Sequence, residues 1–247
     1  MIHGMNRTGR WDYNHHVVPP ITSSAAFRLD STARGARGFA EYVADDLDPN
    51  EHPPIYIYDR LDEPTRGMLE DNLAVAEKGE VAVGFASGMA AISAALSVLA
   101  KPGDHIVTHR VLYGCTYSLI TRWLSRQNIY STLTDLTDLE HLRQAIKPET
   151  RIVYFETPVN PDLRIIDIRG VRHVVDEFNA NRGPDDRIWM VVDNTFATPF
   201  CQRPIEHGAD VVCQSLTKGI GGFGTDMGGA VIGPRALHRD LILYRKD

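Results

Sequence analysis

The feature that most constrains this chain is alternation. From about Leu61 onward, short runs of β-branched and apolar residues recur: Val81–Phe85, Ile106–Thr108, Ile129–Leu133, Ile152–Phe155, Ile188–Val192, Ala209–Cys213 and Ala230–Ile232. Between them lie stretches with helical character. Near-continuous apolar strands need cover on both faces, and helical connections supply it. The pattern therefore predicts an α/β fold with a mostly parallel sheet flanked by helices. Gly88 to Ala100 reads as a small-residue helix stopped by Pro102-Gly103, and Val171–Phe178 as a second helix. Thr137-Asp-Leu-Glu140 has capping-box spacing, with Thr137 expected to take a helix-start amide.

Residues 1–60 break this regularity. They carry Pro19-Pro20, Pro49, Pro53-Pro54, a Gly/Arg stretch from Arg34 to Gly38 and an acidic cluster from Asp45 to Asp48. Such a segment reads as an extended N-terminal arm with short helical pieces, ahead of an α/β domain over 61–247. A formal charge of −6 argues against nucleic acid or an anionic membrane as partner. Cys115, Cys201 and Cys213 are too few and too far apart for a disulfide scaffold or a four-cysteine zinc site. Met1 to Arg10 lacks the apolar core of a secretory signal, and no apolar run approaches the roughly 18 residues of a membrane span. A reducing cytoplasm is the expected compartment. Asp46-x-Asp48-x-Asn50 begins like a calcium loop but has Glu51 where glycine is required, and His15-His16 has no companion at metal-ligand spacing.

In open α/β sheets, ligands collect outside the carboxyl ends of the strands. The polar residues that follow the runs are Ser87-Gly88-Met89 at a helix start, Glu156 and then Asn160, Asp193-Asn194-Thr195, and Ser215, Thr217 and Lys218. Singly, each has a plain reading: Ser87 as a helix cap, Asp193 as a turn residue, Lys218 as a solvated charge. Jointly they outline a cofactor site. Asp193, after five apolar residues, should be partly buried and need a cationic partner. Gly219-Ile-Gly221-Gly-Phe-Gly224 matches G-x-G-x-x-G, but it runs into the strand-like Met227–Gly233 rather than a helix. A loop and hairpin are expected there, and not a nicotinamide site.

The combination suits pyridoxal 5'-phosphate. A lysine amine forms a Schiff base with its aldehyde, and a buried carboxylate keeps the pyridine nitrogen protonated. Helix-start amides and hydroxyls hold the phosphate. Lys218, Asp193, and the set Gly88, Met89, Ser215 and Thr217 are the candidates, with Tyr113 available to cover the ring.

Ser87-Gly-Met-Ala-Ala-Ile92, Leu112-Tyr-Gly-Cys-Thr116, Glu156-Thr-Pro-Val-Asn-Pro161, Val192-Asp-Asn-Thr195 and Ser215-Leu-Thr-Lys218 occur in this order. Together they resemble the Cys/Met-metabolism family of pyridoxal-phosphate enzymes, from Val18 to the end of the chain. The resemblance implies a fold type I large domain with Lys218 as the cofactor lysine and Asp193 on the pyridine nitrogen. Tyr113 would stack on the ring and give a proton to the leaving group. Asn160 would lie near the phenolic oxygen, and Ser87, Gly88, Met89, Thr195, Ser215 and Thr217 around the cofactor. Tyr58-Asp-Arg60 looks like the family's Tyr-x-Arg, which reaches the phosphate of a neighbouring subunit. A homo-oligomer, dimer or tetramer, is implied.

The implied activity is γ-elimination on a sulfur amino acid, in the manner of methionine or cystathionine γ-lyase. Its sibling is γ-replacement, as in cystathionine γ-synthase or O-acetylhomoserine sulfhydrylase. Cys115 is similar to the methionine γ-lyase pattern and has two readings, as a specificity residue or a small packed cysteine. Glu63 and the run Gly222-Phe-Gly-Thr-Asp226 depart from commoner family patterns. The family's further C-terminal domain, whose arginine binds the substrate carboxylate, is not in this sequence. A fragment of a longer protein or a non-catalytic pyridoxal-phosphate-binding remnant is the alternative expectation.

Overall fold

A computed structural model describes residues 21–42, 44 and 54–247. Met1–Arg10, His15-His16, Pro19-Pro20 and the acidic cluster Asp45–Asp48 with its calcium-like spacing lie outside the described residues. Each apolar run forms a strand: β1 (Val81–Phe85), β2 (His105–His109), β3 (Tyr130–Thr134), β4 (Thr150–Glu156), β5 (Trp189–Asp193), β6 (Val211–Ser215) and β7 (Gly229–Gly233). They make one sheet in the order β1-β7-β6-β5-β4-β2-β3. Pairing is parallel from β3 through β6, and β7 runs antiparallel to both β6 and β1. The fold is α/β with a mostly parallel sheet.

Strand side chains alternate between two cores. Val83, Ile106, Ile152, Tyr154, Val191, Val211 and Val231 face one, while Ala82, Val107, Val153, Phe155, Val192, Val212 and Ile232 face the other. The helices are α1 (Thr32–Glu41), α2 (Pro64–Glu77), α3 (Gly88–Leu99), α4 (Gly114–Ser118), α5 (Leu139–Ala145), α6 (Ile168–Asn179), α7 (Thr198–Cys201) and α8 (His238–Lys246). On the first face α3 lays Ala91, Ala94 and Ala95 on the sheet, so its backbone comes close, and α8 adds Leu241 and Ile242. On the second, α6 contributes Val171, Val174 and Val175, with Leu142 of α5 and Leu73 of α2 beside them.

Two local expectations are corrected. Helix α5 is capped by Asp138, whose carboxylate takes the Glu140 amide at 2.9 Å. Thr137 is instead drawn into a turn, its hydroxyl donating to Asp135 at 2.6 Å. An aspartate one residue nearer the helix outcompetes the threonine. Strand β6 starts and ends two residues later than the apolar run, because Ala209 closes the turn from Pro204 and the Asp210 carboxylate is held by Arg172 and Arg187. That shift places Ser215 at the strand end. The departure at Glu63 acquires a local role: it caps α2, accepting the amides of Thr65 (2.9 Å) and Arg66. Between Ile21 and Arg60, α1 and a short Ala26–Tyr58 bridge form, and the Thr22 amide bonds to Thr65 at 2.8 Å.

Candidate functional site

The parallel strands end on one rim, and there the sheet changes its direction of growth. Strand β2 leads to β3 on one side, whereas β4, on its other flank, leads away through β5 to β6. Connections that leave in opposite directions open a crevice outside the strand ends. The loops after β2 and β4 flank it.

After β2 comes Tyr113, the residue before α4, exposed together with Cys115. Cys115 does not pack within the described part of this chain. Hydrogen bonding to the Cys115 thiol, and then that group's charge, push the Tyr113 hydroxyl above the ordinary tyrosine value. After β4, the buried Glu156 carboxylate accepts the Tyr113 amide at 2.9 Å and the Asn160 amide at 3.2 Å. Burial, reinforced by the nearby Asp193 charge, pushes Glu156 up to about 7 against those two bonds.

Asp193 ends β5 in register with Glu156. Its carboxylate takes the Thr195 amide at 2.9 Å and, more weakly, the Tyr154 hydroxyl at 3.4 Å. Burial raises it, and the bonds from Thr195 and Tyr154 oppose the rise. Among the described residues no Lys, Arg or His pairs with Asp193 or pulls its pKa down.

The first turn of α3 abuts β6. Ser87 caps the helix, its hydroxyl taking the Ala90 amide at 3.1 Å, so it engages neither the Gly88 nor the Met89 amide. A β-carbon on Gly88 would lie 2.6 Å from that of Ser215, a contact only glycine permits. Gly229 is under a similar constraint, since a side chain there would strike the Ser87 carbonyl. The Ser215 amide bonds to the Thr195 hydroxyl at 2.9 Å, and the Thr116 hydroxyl approaches the Met89 sulfur at 3.7 Å. Ser87, Gly88, Met89, Tyr113, Asn160, Asp193, Thr195 and Ser215 thus form one linked set.

Thr217 closes the neck of the loop after β6 by pairing with the Gly228 carbonyl (3.3 Å) and amide (3.2 Å). Lys218 follows at the start of that loop, its amide bonded to the Ser215 carbonyl at 3.2 Å and its side chain exposed. The glycine-rich segment makes turns, with Gly222 and Gly224 at φ 77° and 68°, and joins the antiparallel β6 and β7. No helix opens there, so the phosphate cradle of a dinucleotide fingerprint is absent. Tyr58 and Arg60 form a unit of their own. The Arg60 guanidinium lies 5.4 Å from the Tyr58 ring centre and lines a cavity of about 870 Å³ with Arg66, Phe85, Leu216 and Tyr244.

Sequence reasoning noted Glu156 at a strand end without a role and missed Tyr154. Their spacing of two at the carboxyl end of β4 was the available signal. It also missed a buried network behind the rim, where Glu77 accepts from Asn194 (2.9 and 3.2 Å) and Gln214 (2.6 Å), the neighbours of Asp193 and Ser215. Burial raises Glu77, and those two amides and Arg203 pull it back. Among the described residues no helix is long and apolar enough to cross a membrane.

The rim thus brings together a buried carboxylate with no cation among the described residues, a helix start and, after the next strand, a lysine. Comparison with known proteins gives the family. The model of the Cys/Met metabolism PLP-dependent enzymes matches residues 1–243, and the chain belongs to that family, whose cofactor is pyridoxal phosphate. It is 41% identical over 221 residues to an L-methionine gamma-lyase of Fusobacterium nucleatum subsp. polymorphum, covering 90% of this chain and 52% of that protein. It is 39% identical over 216 residues to a cystathionine gamma-synthase of Mycobacterium bovis, covering 87% and 49% respectively. The crystal structure of metB from Corynebacterium glutamicum superposes with a TM-score of 0.80 at 32% identity, over 97% of this chain and 57% of that one. The chain spans about half the length of the curated relatives it matches.

The residues fit the cofactor. Asp193 is a raised carboxyl without a cation, which a protonated pyridine nitrogen would supply. The close approach of Gly88 to Ser215 puts helix-start amides beside a hydroxyl, a donor set suited to a phosphate.

Proposed function

We propose that this chain holds the cofactor and the leaving-group side of a γ-elimination site acting on methionine or cystathionine, with thiol, ammonia and a 2-oxo acid as products. The observation that carries this reading is that Tyr113 and Cys115, two residues apart, are both exposed at the crevice between β2 and β4. A phenol hydroxyl can deliver a proton to a departing sulfur, and a soft thiol beside it suits contact with that sulfur. The 41% identity to a protein named methionine gamma-lyase supports the same choice.

In this reading pyridoxal phosphate, when bound, supplies the electron sink, and the chain's residues do the rest. Lys218 holds the cofactor and then moves a proton at the substrate Cα. Asp193 keeps the pyridine nitrogen protonated, and Thr195 orients Asp193. Asn160 would lie near the phenolic oxygen, Gly88, Met89, Ser215 and Thr217 would hold the phosphate, and Ser87 caps the helix whose first turn presents those amides. Tyr58 and Arg60 reach the phosphate of a second copy, with residues 1–60 as the inter-subunit arm, 61–247 as the cofactor domain, and a dimer or tetramer as the working unit in the cytoplasm. Cys115 tunes recognition of the thioether.

A second reading has its own support: the synthase-named relative favours γ-replacement.

The visible spectrum of pyridoxal-phosphate-loaded protein, with borohydride trapping and peptide mass, should show the cofactor on Lys218 and lose it in Lys218→Ala. An unmodified Lys218 peptide would overturn the reading. Production of 2-oxobutyrate from methionine or cystathionine without added thiol supports elimination. Thioether formed from O-acetylhomoserine plus thiol, with no keto acid, would sink the lyase in favour of replacement. Bound cofactor without turnover would leave the binding remnant.

A further inference from the structure

We propose that Glu156 is a positioning residue that locks the loop after β2 to the loop after β4, and so sets both the Tyr113 ring and the Asn160 side chain against the cofactor. This rests on the cofactor-site reading above. The two loops meet at the reversal of strand order, where no strand hydrogen bonds continue to hold them. A single carboxylate spans the gap, one oxygen on the Tyr113 amide at 2.9 Å and the other on the Asn160 amide at 3.2 Å.

The burial pattern shows why such a lock is needed. Tyr113 is 43% exposed, so packing does little to orient its ring. Its backbone, at the start of the short helix α4, has no side-chain cap of its own, and the Glu156 bond is the anchor from which its Cα–Cβ direction follows. The Asn160 loop closes on itself through Val159, which accepts from Leu163 (2.8 Å) and donates to Arg164 (2.9 Å). Glu156 ties that closed loop to Tyr113.

Residue choice follows from donor arithmetic. Two N–H groups converge, and only an acceptor with two free oxygens satisfies both; an amide side chain satisfies one and presents its own N–H to the other. Glu156 is 4% exposed, and both oxygens are engaged by amides, so it orients and does not itself exchange protons with substrate.

The test compares wild type, Glu156→Gln and Glu156→Ala as full chains, by hydrogen exchange with mass spectrometry on cofactor-free protein. Loss of a bond to a charged acceptor should raise amide exchange about tenfold in segment 112–116 or 159–163 for the glutamine variant. The alanine variant should raise it in both, with β4 and β5 unchanged. If alanine does not fold, the glutamine variant alone carries the measurement. On loading with pyridoxal phosphate, the variants should bind the cofactor but show an altered visible circular dichroism band, as the ring and its aromatic neighbour lose register. Exchange unchanged in both segments overturns the proposal, as does uniform acceleration through the sheet, which marks a merely structural role. Selective acceleration with an unaltered band overturns the link to the cofactor. Wild type without any cofactor band defeats the function reading instead, and leaves the loop lock to be judged by exchange alone.

Discussion

The two ends of the sheet treat charge in opposite ways. At the amino-terminal edge, acids are neutralised within the chain. Asp210 receives Arg172 at 3.1 Å, Arg187 at 2.5 Å and the Met190 amide at 2.7 Å, and Asp104 faces Arg151 at 3.7 Å. At the carboxyl rim, Glu156 and Asp193 stand in register on adjacent strands, with amides and hydroxyls but no cation from the described residues. One edge is complete as folded; the other keeps a charge deficit that an incoming pyridinium would fill. Uncompensated buried acids cost stability, which sets the crevice apart from the amino-terminal edge and accords with the cofactor site proposed there.

The largest expected effect comes from removing one acid at each end. Asp210→Ala should strand two guanidinium groups and cost about 3 kcal/mol in urea unfolding, with cofactor affinity little changed. Asp193→Asn should do the reverse: the cofactor-free chain becomes no less stable, while pyridoxal-phosphate affinity falls about 100-fold, or about 3 kcal/mol, by absorbance titration. Equal effects of both substitutions on stability and binding would erase the contrast.

The next effect is a pair of opposite pH slopes. Glu156 is raised in the folded state to about 7 from an ordinary 4.5, so the folded chain holds the extra proton. Stability from this group is present below about 4.5 and lost as pH climbs to about 7, by on the order of 3 kcal/mol. His105, buried at the start of β2 between the Thr150 and Thr132 hydroxyls (2.8 Å each), is lowered to about 4 from 6.5, chiefly by burial. Here the unfolded chain holds the extra proton, and stability is lost as pH falls from about 6.5 towards 4. Urea midpoints of the cofactor-free chain at several pH values should therefore show Glu156→Gln removing the loss on the alkaline side and His105→Gln the loss on the acid side. Unchanged slopes in both variants would contradict these assignments.

The smallest effect lies away from both ends. Asp138→Ala should destabilise by about 1 kcal/mol through loss of the α5 cap, and Thr137→Ala by less. Thermal denaturation of the two variants would decide between the observed cap and the one suggested by capping-box spacing.

Much of this molecule was legible in advance. The apolar runs from Val81 to Ile232 predicted the seven strands of the sheet, because strand burial is written in local composition. The glycine-rich stretch was readable as a hairpin because Met227–Gly233 resumes a strand pattern rather than a helical one. Thr137 was misplaced because two polar neighbours, Asp135 and Asp138, competed for the same amides and hydroxyl, and spacing does not rank competitors. For Asp193, burial follows from the run before it, whereas which groups face it depends on residues distant in sequence.

The amino-acid sequence by itself determined the α/β class, the strand-end residues and the family resemblance, since each depends on short-range pattern. Only the tertiary structure decided that β4 lies beside β2 where the strand order reverses. That placement, a long-range packing outcome, turns Glu156 from one more strand-end acid into the link between Asn160 and Tyr113, the latter 43 residues before Glu156 in the chain.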